Sequence, residues 1–128
     1  MKTKLTLEES ARLIELGIDL KMASEREFVD KTEINSNQFL EIEEYPRFTL
    51  ADIISILPTE IIADTIMGED FPCALTIRWD ENRKVWHCAY ECLPHPLNVG
   101  ISTELIDALY QLLIWVIESG YVKPNKDN

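Results

Sequence analysis

Cationic side chains are scarce in this chain: 12 lysines and arginines stand against 23 aspartates and glutamates, for a formal net charge of −11. Such a chain repels phosphate backbones at long range, which disfavours direct DNA or RNA binding unless a local basic patch exists. The sequence offers none: Lys2 and Lys4 stand alone, and Arg83-Lys84 falls at the tip of a hairpin pattern. No apolar run reaches the ~20 residues of a membrane helix, because Asp107 and Gln111 interrupt the richest one and Glu118 closes it. Cysteine is limited to Cys73, Cys88 and Cys92. An odd count, together with an opening MKTKLTLEES that lacks an apolar core, leads us to expect free thiols and a cytoplasmic setting. No nucleophile elbow, phosphate loop or Walker lysine occurs.

What is present is apolar and periodic. Hydrophobic residues make up 46% of 128 positions, enough for one domain (1–128) to bury a core without staples. The segment TELIDALYQLLIWVIES, residues 103–119, reads as a helix at 100° per residue. Its polar stripe is narrow (Glu104, Asp107, Gln111, Glu118), and its apolar arc exceeds the ~100° that one neighbour covers. Burial from two sides follows, one of them a sheet. Ser102 or Thr103 can cap its start and Gly120 its end. Trp115 lies on the polar stripe beside Gln111. Either it is half-buried under a loop or the N-terminal segment, or it anchors a partner or second subunit.

Earlier in the chain, Thr6-Leu7-Glu8-Glu9 is a capping box for a helix ending at Leu16-Gly17, and Leu20 to Met22 can form one more turn. Ser24 to Glu27 reads as the cap of a short helix through Lys31, Asn35-Ser36-Asn37 as a turn, and Glu41, Glu43 and Glu44 as an acidic, solvated patch. Residues 24–45 are expected to be the most mobile, with 121–128 as a tail. Thr49 opens another helix that Pro58 stops. Ile61 to Met67 fits a helical turn or a strand, ended by Gly68.

From Cys73 the period changes to two, and residues 73–79 and 85–91 form a β-hairpin pattern. A four-residue loop at 80–83 would set Ile77 against Trp86 and Leu75 against Cys88, on one face that packs on the last helix. Leu97 to Ile101 reads as a short third strand. The fold class is α+β: N-terminal helices, a small antiparallel sheet, and a long C-terminal helix across it.

For chemistry, His87, Cys88, Cys92 and His95, with Cys73, are the one set with metal-ligating side chains. Their spacing is poor, since His87 and Cys88 point to opposite faces of a strand and no Cys-x-x-Cys occurs. The reading is therefore no metal, no cofactor and no catalytic centre. A protein partner or self-association is expected instead, through Trp115 and Gln111 or through the outer sheet face of Thr76, Arg78 and His87. An inhibitor that mimics nucleic acid by its negative surface is one alternative, and an enzyme with a pocket lined by His87 or His95 is another.

The blocks LTLEESARLIELGIDLKMAS and ELIDALYQLLIWVIESGYVKP, with RFTLADIISILP between them, resemble a family of small uncharacterised proteins of gut anaerobes and their mobile elements. The resemblance implies a host and a genetic setting, and no activity. The run from LTIRWDENRKVWHCAYE to STELIDALYQLL resembles the β-β-β-α module of HicB-type antitoxins, which adds an antitoxin component to the alternatives. It departs from that pattern where Asn82-Arg83 replace the usual turn glycine, and no DNA-binding tail is evident.

Overall fold

The computed structural model describes residues 1–30, 42–64, 70–92 and 95–121. The turn expected at 35–37, the acidic residue at 41, the segment end at 67–68 and the tail beyond 121 lie outside them.

Helix α1 (Leu7–Glu15) starts from the expected capping box, with the Thr6 hydroxyl and the Glu9 carboxylate each accepting the other's backbone amide. It ends in a Schellman motif: Ile18 N–H donates to Leu13 and Gly17 N–H to Ile14, with Gly17 at φ 104°. A 3₁₀ turn (Leu20–Met22) follows. Helix α2 (Leu50–Ile56) has its own capping box from Thr49 and Asp52.

Between these helices the structure corrects one expectation. Residues 25–30 are not a helix but strand β1 (Glu25–Asp30), paired antiparallel with β2 (Ile42–Arg47) in a two-stranded ribbon. The capping groups are used otherwise. Ser24 donates its amide (2.8 Å) and its hydroxyl (2.9 Å) to Asp52, while the Glu27 carboxylate accepts from the Arg47 guanidinium at 3.4 Å. With Ser24 and Glu27 drawn to different partners, no helical first turn can close.

Asp52 thus ties the start of β1 to the N-terminus of α2. Burial pushes its carboxyl up, but the hydrogen bonds from Ser24 and Thr49 outweigh this and hold it below its ordinary value of 3.8. A depressed folded pKa contributes stability above the unfolded value and loses it as pH falls through the folded one. Asp52→Ala should therefore cost about 1–2 kcal/mol near neutrality, at the modest end because the site is partly solvated. The gap to wild type should shrink below pH 4. Urea titrations of both proteins across that range check this, and a constant gap would contradict it.

The main sheet runs β3-β4-β5-β6, all antiparallel: β3 (Glu60–Asp64), β4 (Asp70–Asp80), β5 (Val85–Cys92) and β6 (His95–Ser102). The ambiguous segment at 61 is a strand, and the third hairpin strand is longer than expected. Register also differs. Ile77 faces Cys88, Leu75 faces Tyr90 and Trp79 faces Trp86, two residues from the expected pairing. The cause is Asp80, which remains in β4 while its carboxylate accepts the amides of Asn82 and Arg83, so the loop begins one residue later. A shift of two keeps every side chain on its expected face.

Helix α3 (Leu105–Glu118) lies over β5 and β6, and α2 packs against it as well. Leu109, Leu112, Leu113 and Val116 are fully buried there with Tyr90 and Cys88 of β5. Burial from two sides is what its wide apolar arc requires. The N-terminal segment joins in: Lys2 donates to Glu9 (2.9 Å) and Asp107 (2.7 Å), linking α1 to α3, and Leu5 is buried beneath Arg47, whose guanidinium donates twice to the Leu5 carbonyl. The expected cap is corrected too. Glu104 is the N-cap without a side-chain cap bond, and Ser102 instead accepts the Glu104 amide. Gly120 (φ 83°) closes the helix in a second Schellman motif.

Candidate interaction surface

Hydrogen-bond direction in β4 decides which cross-strand pairs lie close. Leu75 sends its amide to Thr59, away from β5. Odd-numbered residues of β4 therefore form the non-hydrogen-bonded pairs with β5, the class with the shorter Cα separation of ~4.5 Å. Trp79 and Trp86 are such a pair. Their rings meet edge to face, with centroids 5.3 Å apart and planes at 60°. That geometry is worth ~0.5–1.5 kcal/mol beyond burial.

Both tryptophans belong to the inward face, yet the face is only partly covered. Because α3 lies over β5 and β6, the tip half of β4 runs past it: Ile77 is 40% exposed and Trp79 41%. The expectation that the whole matched face packs on the helix is therefore corrected. Trp79, Trp86, Met1, Thr103 and Glu104 line an open cleft of about 500 Å³. The indole N–H of Trp79 donates to Glu81 at 2.7 Å, and Glu104 accepts the Lys2 amide at 2.9 Å. Apolar rings thus sit between carboxylates.

The outer face does bring Thr76, Arg78 and His87 together. Arg78 is the register partner of His87, and Thr76 of Ala89, whose carbonyl accepts the Thr76 hydroxyl at 3.3 Å. Arg78 is exposed, 4.0 Å from Glu91. The His87 ring is largely covered; its Nε2 lies 3.6 Å from Asp80 and has no hydrogen-bond partner among the described residues. Asp80 is held below its ordinary value by the amides of Arg83 and Asn82 and by the nearby charges of Arg83 and His87.

Gln111 and Trp115 are not part of that group. The Gln111 amide accepts the Ile101 N–H (3.1 Å) and donates to the Ile101 carbonyl (2.9 Å), acting as a substitute strand partner at the edge of β6. Trp115 is half-buried against the core and stacks near Tyr121, with centroids 5.5 Å apart. The patch around Trp79 was open to sequence reasoning through one signal, two tryptophans at facing positions beside a turn.

Metal-ligating residues do not converge among the described residues, which contain no group of three or more His, Cys, Asp and Glu placed to hold an ion. The side chain at position 95 lies outside them. Burial pushes the thiols of Cys73 and Cys88 up to about 11, leaving both protonated at neutral pH. The carboxylates of Glu9, Glu25, Glu27, Glu44 and Glu118 pair with cations on several different elements. Among the described residues no helix is long and apolar enough to cross a membrane. Comparison with protein-family models, curated proteins and solved structures finds no match to this chain.

Proposed function

We propose that the protein is a non-enzymatic interaction module, and that the Trp79–Trp86 cleft receives a lysine or arginine side chain of a protein partner. The observation that carries this reading is a tryptophan pair, Trp79 exposed and Trp86 half-buried against the core, at the edge of the face that α3 covers and flanked by Glu81 and Glu104. Indole faces attract cations, by ~0.5–2 kcal/mol depending on desolvation. Tryptophan is enriched among residues that dominate binding energy. The net charge of −11 steers cationic surfaces toward the molecule and phosphate-rich ones away.

The test is a fluorescence titration with a short peptide alternating arginine and leucine. Trp79→Ala should weaken binding at least ~10-fold, the loss of one cation–π contact and its apolar surround, while unfolding stays cooperative. Added salt should weaken it further. Equal binding of a glutamate–leucine peptide, or indifference to Trp79→Ala, would reject the cleft. Loss of binding in Trp115→Ala with Trp79→Ala unaffected would move the surface to α3.

A further inference from the structure

The register that pairs Ala74 with Glu91 carries Cys73 and Cys92 to the next facing position. Like Trp79 and Trp86, this pair has its β4 member at an odd position and is non-hydrogen-bonded, so its Cα atoms fall near the ~4.5 Å of that class, within the ~4.4–6.8 Å span of disulfides. The two side chains already touch, through a hydrogen bond between the thiols. Cys73 is fully buried and Cys92 half-buried. Cys88 differs: it faces Ile77 on one side and Gly100 on the other, so the register sets no thiol against it.

We propose that Cys73 and Cys92 form a reversible dithiol–disulfide pair that oxidised low-molecular-weight thiols close across β4 and β5. The more accessible Cys92, as thiolate, attacks one sulfur of the small disulfide. A mixed disulfide forms on Cys92, and one small thiolate leaves and takes up a proton. Cys73 then loses its proton and attacks Sγ of Cys92, expelling the second small thiol. Two protein thiols are oxidised and one small disulfide is reduced to two thiols, with both protons carried off by the leaving groups. Closure is slow, because burial keeps the Cys73 thiol protonated until it is deprotonated in the second step. The link cross-braces the hairpin at the end away from its tryptophans, so it changes stability without occupying the cleft.

Purified full chain is incubated with glutathione disulfide, quenched in acid, alkylated in denaturant and peptide-mapped. The expected product is a monomer with Cys73 linked to Cys92, one alkylated residue (Cys88), and full recovery of three alkylatable thiols after dithiothreitol. Its urea midpoint should rise. In Cys73→Ser the reaction should stop at a glutathione adduct on Cys92, and in Cys92→Ser no adduct should form under native conditions. Three thiols persisting in the wild type, a lasting adduct on its Cys92, a bond to Cys88 or a link between two chains would each overturn the proposal. Wild-type mapping alone decides the matter if a variant fails to fold.

Discussion

Gly100→Ala should unfold at markedly lower denaturant than wild type, with a loss of about 3 kcal/mol or more, beyond the ~1–3 kcal/mol usual for overpacking. A methyl group at this position would stand 2.0 Å from the backbone oxygen of Ala108 and 3.0 Å from its carbonyl carbon. Neither atom belongs to a side chain that can swing aside. Relief requires α3 to lift from β6 or β6 to bend, and either motion uncovers Leu109, Leu112 and Leu113, the fully buried residues of the same helix. Gly120→Ala is the internal comparison. Nothing lies within 4 Å of its added carbon, so only the left-handed φ of 83° is penalised, at ~1–2 kcal/mol. Chemical denaturation of both variants measures the difference. A Gly100→Ala cost no greater than that of Gly120→Ala would mean that helix and sheet do not meet this closely.

That contact shows where reading the sequence succeeds and where it stops. Periodicity disclosed α1, α2, α3 and the hairpin, and capping boxes marked the starts of α1 and α2. The β1–β2 ribbon was hidden. Its partners lie up to 22 residues apart, Glu25 against Arg47, and its residues are mostly charged, so no alternating apolar set marks it. The strand at 60–64 is five residues long, too short for its period to separate it from a helical turn. Alternation assigned Trp79 and Trp86 to the inward face correctly, but a face is not a cover. Helix α3 spans 14 residues, about 21 Å, and lies over β5 and β6. Which inward residues it leaves bare depends on where it crosses, and a crossing point is a tertiary property. Gln111 shows a related gap: its place on the polar stripe does not reveal that its amide completes the edge of β6.

Tyr90 offers the second large effect, and a way to separate its hydroxyl from its ring. It is among the largest fully buried side chains, in the middle of the sheet on β5, and its hydroxyl donates to the Pro58 carbonyl at 2.5 Å. Pro58 follows α2 and precedes β3, so this bond ties the connection between them to β5. Burial drives the hydroxyl's pKa above its ordinary range, which keeps the donor proton in place through any physiological pH. Tyr90→Phe retains the ring and strands the carbonyl, at a cost of about 1–3 kcal/mol. Tyr90→Ala adds a cavity at the centre of the core and should cost about 4–5 kcal/mol, much of the ~5–15 kcal/mol that holds a domain together. The two costs predict a native but weakened Phe variant and an Ala variant close to unfolding at 37 °C. Urea unfolding followed by far-UV circular dichroism reads both. Equal costs for the two substitutions would place all of Tyr90's contribution in the hydroxyl; a cost under about 0.5 kcal/mol for Phe would mean that the Pro58 carbonyl finds another donor.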